Sequence, residues 1–211
     1  MSDTIVIDEE NLDGIVQCNP VVFAACDSLY FMKHGEAFVR SVTGSGGMPC
    51  HVHIVNPSPM VYERVSFLMD DVDEKFTCTF EELDTNGMTD DDRVKEYKNS
   101  KHKNLPVVLA NAGKVLVLNI DSIVMNTIVL PDSLLAVSGD STNPNTNALY
   151  IDNKIHEVSN VLAWYAHERE RTGIETIEHM ALELHDEIQW LGQEFISNGV
   201  DKTSMIMAIE E

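Results

Sequence analysis

Continuous apolar runs alternate with helix-spaced apolar positions along the first two thirds of the chain. The run from Pro20 to Ala25, PVVFAA, is rich in β-branched and aromatic residues and predicts a strand covered on both faces. From Leu29 to Val42 the apolar positions Tyr30, Phe31, Ala37, Phe38 and Val42 follow a mostly helical spacing that closes at a glycine-rich turn over 44–47. A second strand is predicted over His51 to Val55. Asn56, Pro57, Ser58 and Pro59 then break the chain and start a helix whose apolar stripe is Val61, Val65, Leu68 and Met69. Phe76 to Phe80 reads as a third strand, and the Asp, Glu, Asn and Lys of 85–100 predict a mobile connection or a short solvated helix. Leu105 to Leu109 reads as a helix end, with Asn111, Ala112 and Gly113 turning into an apolar strand over Val115 to Ile120. Strands over Leu134 to Val137 and Ala148 to Ile151 are separated by SGDSTNPNTN, whose Gly, Pro and Asn predict a loop. This alternation is the signature of an α/β fold with a mostly parallel central sheet flanked by helices.

The last third changes period. Glu157 to Thr172 is helical in pattern, and after Gly173 the positions Ile174, Ile177, Ala181, Leu184, Ile188, Leu191 and Phe195 step by threes and fours. That predicts a long amphipathic helix, stopped by Ser197, Asn198 and Gly199, whose seam packs on its own domain or makes a homodimer through 174–195. The expected organisation is one domain over 1–211, with a core over about 18–152 and a C-terminal helical part over about 156–198.

Composition narrows the function. With 211 residues, 44% of them hydrophobic, the chain has enough apolar material for a real core. A formal net charge of −21 with no basic stripe excludes the counterion-releasing surface that nucleic acid requires. The same field repels a bare nucleoside diphosphate, so such a ligand needs a cation to screen it. The acidic opening segment and the absence of a long apolar run predict no membrane span and a soluble, cytoplasmic protein. The four cysteines, Cys18, Cys26, Cys50 and Cys78, show no CxxC spacing and read as reduced, mostly buried thiols.

In a parallel α/β sheet, ligands bind beyond the carboxyl ends of the strands, which directs attention to the polar residues after each apolar run. Asp27 and Tyr30 follow the first strand, where Asp27 is either a helix cap or a ligand. Asn119 lies in the strand VLVLNI and Asp121 emerges just past its end; two apart on a strand, they face one way and can present oxygens to one cation, although an Asp there also suits a turn. His51 and His53 share a strand face beside Cys50, but lack the second ligand pair of a metal site. His179 and His185 lack the HExxH context, Asp186 and Gln189 fall inside the predicted long helix, and no GxSxG, P-loop or GxGxxG pattern occurs.

The stretch VVFAACDSLYFMKHGEAFVRSV resembles the opening of retaining glycosyltransferases of the glycogenin and lipopolysaccharide galactosyltransferase type. HVHIVN resembles the second strand of that family, and LPVVLANAGKVLVLNIDSIVMN resembles the segment that delivers its DxD motif. The likeness covers roughly the first 130 residues, with an echo at Ser159 to Leu162. It implies a GT-A fold, a UDP-sugar as donor, an acceptor of unknown identity, and a nucleotide-sugar site at Ala25, Asp27, Tyr30, Asn119 and Asp121. Mn²⁺ or Mg²⁺ would lie at Asp121 and Asn119. Asn119 stands where the family has the first Asp of DxD; its amide oxygen brings no negative charge, so a cation is held less tightly. The family's late His-x-x-Gly-x-x-Lys element is not found. The resulting expectation is a sugar transferase, and the alternative is a catalytically inactive GT-A-like scaffold or protein-interaction module.

Overall fold

The computed structural model describes residues 20–140, 143–168, 188–192, 195–198 and 205–208. Strand β1 (Val21–Asp27) runs into helix α1 over 28–45, which widens into π-type turns at Phe31–Gly35 and Ser41–Ser45. Then follow β2 (Cys50–Val55), α2 (Pro59–Val72), β3 (Phe76–Glu81), α3 (Asp90–Ala112), β4 (Lys114–Leu118) and β5 (Ser122–Val124). A hairpin of β6 (Leu135–Asp140) and β7 (Asn143–Asp152) leads to α4 (His156–Glu168), followed by β8 (Ile188–Leu191), β9 (Ile196–Asn198) and β10 (Ile206–Ala208). The main sheet has seven strands in the order β3-β2-β1-β4-β7-β6-β8, and β5, β10 and β9 make a separate three-stranded sheet. β1 is parallel to β2 and β4, β2 to β3, and β6 to β8, while β7 runs antiparallel to both its neighbours.

Alternation along the strands divides the core in two. Val22, Ala24, Val52, Ile54, Leu116 and Leu118 point to the side covered by Phe31, Phe38, Val39 and Val42 of α1 and Val61, Val65 and Leu68 of α2. Val21, Phe23, Val115, Val117, Leu149 and Ile151 point to the other, covered by Leu105, Val108 and Leu109 of α3 and Val158 and Leu162 of α4. The strands of the first half and the two-sided burial match the sequence pattern. Of the expected α2 stripe, Met69 is on the exposed side. Cys26, Cys50 and Cys78 are free and buried, as expected, and Cys18 lies outside the described residues.

Four sequence expectations are corrected. Residues 90–100 are helical, as one of the two expectations had it, but they belong to a 23-residue helix, α3, that buries Glu96, Asn99 and Ser100, neither a mobile connection nor a short solvated helix. Thr89 caps it, accepting from the Asp92 N–H at 3.1 Å, and Asp90, Asp91 and Asp92 sit in the first turn, where negative charge complements the helix dipole. The Gly/Pro/Asn-rich stretch after Val137 is paired strand apart from 141–142, which lie outside the described residues. Its register shifts between Val137 and Ser138, and the Ser138 hydroxyl accepts from the Ala148 N–H at 2.9 Å. Pro144 is tolerated because pairing between β7 and β4 stops at Ala148, so the missing N–H costs no bond to β4. The predicted long helix does not extend through Ile188 to Leu191, which form β8 beside β6, because one face of that short run closes the sheet edge. Its predicted stop at Ser197 and Asn198 is strand β9, and 174–187, with the homodimer seam they would carry, lie outside the described residues.

Candidate functional site

The parallel pairing of β1 with β4 sets Val21 against Val115 and Phe23 against Val117. Ala25 and Asp27 follow Phe23 by two and four residues, and Asn119 and Asp121 follow Val117 by the same steps, so the strands deliver all four to the same end of the sheet. Ala25, Asp27, Asn119 and Asp121 are half-buried, and Tyr30 is 38% exposed. The sequence-predicted set therefore lies at the carboxyl ends of adjacent parallel strands, the place where α/β sheets bind ligands.

Asp27 performs its structural role: Oδ1 accepts from the Tyr30 N–H at 2.8 Å and caps the start of α1. Beside it, the Ser28 hydroxyl accepts from the Ser58 N–H at 3.1 Å and ties this turn to the start of α2. The Tyr30 ring lies against His34, with centroids 5.8 Å apart. Asn119 and Asp121 sit in a turn rather than in β4, closed by the Ser122 N–H donating to the Asn119 carbonyl at 3.1 Å.

The group that the sequence reading missed is Lys101. From α3, its ammonium donates to Asn119 Oδ1 at 3.0 Å, and Asn119 Nδ2 donates to Asn147 Oδ1 at 3.2 Å. Lys101 is 8% exposed. Burial pushes its ammonium down to about 8; Asp121 opposes that shift and Lys98 adds to it. A periodicity signal existed: Lys101 is four residues before Leu105 and eight before Leu109, so the helical face that buries those leucines passes through it.

A Mn²⁺ or Mg²⁺ ion at Asn119 and Asp121 would use the amide oxygen that already accepts from Lys101. Placing a divalent cation on that oxygen sets it within a few ångströms of an ammonium in a partly buried site, where like charges repel strongly. Among the described residues, no group of three or more His, Cys, Asp and Glu is arranged to hold a metal. The residues as placed do not fit a divalent cation.

His51 and His53 make no metal site with Cys50, which faces the opposite side of the sheet. They form a relay beneath α3 instead. His51 contacts Thr77 Oγ1 at 2.8 Å through Nδ1 and Thr79 Oγ1 at 3.1 Å through Nε2. His53 contacts Thr79 Oγ1 at 2.9 Å through Nδ1 and Glu81 Oε2 at 3.0 Å through Nε2. Ser100 donates to the same carboxylate oxygen at 3.0 Å. Glu81 only accepts, so for uncharged rings the relay has one sense, with each Nε2 carrying the proton. Desolvation, helped by His53, holds His51 at about 3, and desolvation with the neighbouring Lys101 does the same to His102. Gln189 lies in β8 opposite Ala136, while His179, His185 and Asp186 lie outside the described residues.

No protein-family model matches the sequence, and no curated protein matches it by sequence. Solved structures do match the fold. The glycosyltransferase GlyE of Streptococcus pneumoniae TIGR4 superposes with a TM-score of 0.57 at 12% identity, over 90% of this chain and 54% of that one. The bifunctional glycosyltransferase WbbM gives 0.61 at 10% identity, over 90% and 45%. The galactosyltransferase LgtC, solved with donor and acceptor sugar analogs, gives 0.55 at 14% identity, over 89% and 86%. The chain spans about half the length of the first two. It has the mixed, mostly parallel α/β fold of these GT-A glycosyltransferases, as the residue-level resemblance implied.

Proposed function

We propose that the carboxyl ends of β1 and β4 bind the nucleoside diphosphate of a sugar nucleotide, a UDP-sugar, and that the protein transfers the sugar to an acceptor. The observation that carries this reading is the parallel pairing of β1 with β4, by which both segments run on from Phe23 and Val117 to the same end of the sheet, Ala25 and Asp27 from one and the turn of Asn119 and Asp121 from the other. In this reading Ala25, Asp27 and the exposed ring of Tyr30 receive the uridine, and Asn119 and Asp121 flank the diphosphate. The GT-A fold supports it, and so does the exposure of Tyr30, whose aromatic face can stack on a base.

Calorimetric titration of UDP, with uridine followed by saturation-transfer NMR, tests the proposal in the wild type and in Tyr30→Ala. Both ligands bind the wild type, and the variant weakens both by about tenfold, the loss of a single good contact. Absence of binding by both ligands would sink it. That outcome favours the second reading, a non-catalytic GT-A domain that binds a protein, which is motivated by Asp27 and Asn119 already spending oxygens on internal hydrogen bonds.

A further inference from the structure

We propose that the ammonium of Lys101 takes the place of a divalent cation at this strand end, as a fixed positive charge that receives the diphosphate of the ligand without metal. The inference rests on the nucleotide-binding reading above and adds the identity of the screening charge.

Three observations lead to it. First, the chain carries a formal net charge of −21, so a diphosphate approaching the sheet needs a local positive charge to be held at all. Second, the oxygen a metal would use, Asn119 Oδ1, accepts from Lys101 at 3.0 Å. The ammonium thus occupies the position beside Asn119 that the DxD resemblance assigns to the ion. Third, an ammonium carries three donors, and among the described residues Lys101 donates only to Asn119, a neutral amide. A cation buried to 8% exposure whose one hydrogen bond among the described residues goes to a neutral amide keeps donors to spare, and an anionic oxygen can take them. Asp121 lies close enough to favour the charged ammonium and is half-buried at the same turn. The change from Asp to Asn at 119 and the presence of Lys101 then have one explanation. A carboxylate at 119 would pair with Lys101 and cancel the charge that the diphosphate needs, whereas an amide orients the ammonium and leaves its charge available.

The test is UDP titration into the full chain in EDTA and in Mn²⁺, with Lys101→Met, Asn119→Asp and uridine as the phosphate-free control. The expected result is UDP binding that is the same in EDTA and Mn²⁺. Lys101→Met lowers UDP affinity by at least about tenfold, as for loss of a charge-assisted contact, and leaves uridine binding unchanged. Asn119→Asp lowers UDP affinity in EDTA through pairing with Lys101, which keeps the test open should Lys101→Met fail to fold. Wild-type binding that requires Mn²⁺ overturns the inference and leaves the nucleotide-binding reading standing. UDP affinity in EDTA unchanged by either variant overturns it too. Loss of both uridine and UDP binding in the wild type removes the underlying reading and the inference with it.

Discussion

The two faces of the main sheet are built from different materials. On the side of α1 and α2, β2 and β3 present Cys50, Val52, Ile54, Phe76 and Cys78, all buried and apolar. On the side of α3, the same two strands present His51 and His53 with Thr77, Thr79 and Glu81, covered by a helix that itself buries Glu96, Asn99, Ser100, Lys101 and His102. The apolar face gains stability from area alone, which is tolerant of geometry. The polar face is stable only while its donors and acceptors stay matched, because an unpaired polar group in a buried layer costs more than a made bond contributes. Lys101 emerges from that polar layer at the strand end, so the same helix segment that needs matched partners also carries the proposed ligand charge.

The largest expected effect belongs to the apolar face. Leu116 is fully buried at the centre of β4, and Leu116→Ala should cost about 2–5 kcal/mol in urea-induced unfolding, the range for a large-to-small change in a packed core. A loss below about 1 kcal/mol would mean that this face collapses around the cavity and is no better packed than the polar one.

The second effect separates the faces by pH. His51 and His102 are held near 3 by burial, below the ordinary histidine value of 6.5. The unfolded chain therefore binds protons at both sites between pH 6.5 and 3 that the folded chain does not. Their depressed values contribute stability above pH 6.5 that is progressively lost as pH falls towards 3. Glu81 is held below its usual value, first by its hydrogen bond to His53, and loses its contribution in the same direction at lower pH. His102 Nδ1 has no hydrogen-bond partner among the described residues, so His102→Leu sacrifices no bond there. The variant should be at least as stable as the wild type at pH 7, and its advantage should grow by about 2 kcal/mol on going to pH 5, from about 1.4 kcal/mol per pH unit below 6.5. Parallel urea midpoints at both pH values would place His102 in a wet environment.

This contrast also explains what could be read from the residues. The strands on the apolar face are legible because Val22, Ala24, Ile54 and Leu116 leave a hydropathy trace, and so the fold and the strand-end placement of Asp27 and Asp121 followed from pattern. The first half of α3 left no such trace: a helix that buries Glu96, Ser100, Lys101 and His102 looks like one that solvates them until its partners are known. The relay was equally opaque, because whether His51 and His53 bind metal or neighbouring threonines depends on β3 pairing with β2, a tertiary fact. The change from helix to strand at Ile188 has the same origin, since four residues with apolar ends suit either period and the open edge of β6 decided between them.

The smallest effect probes the relay itself. Glu81 Oε2 accepts from His53 and from Ser100, and its side chain is 35% exposed, so part of any loss is made good by water. Glu81→Gln keeps the shape and one carbonyl oxygen but removes the charge and the obligation to accept. If the amide oxygen faces His53, the ring protons stay on Nε2 and the cost is about 1 kcal/mol, a weakened charge-assisted bond. If the amide nitrogen turns towards His53 instead, Nε2 must accept, the proton moves to Nδ1, and Thr79 and then His51 must reverse in turn. Ring ¹⁵N shifts of both histidines distinguish the cases, and the first is expected because Ser100 also donates to this position and an amide NH₂ would face two donors. Tautomers that invert without loss of stability would show that the carboxylate does not set the sense of the layer, and that packing of α3 alone holds the polar face together.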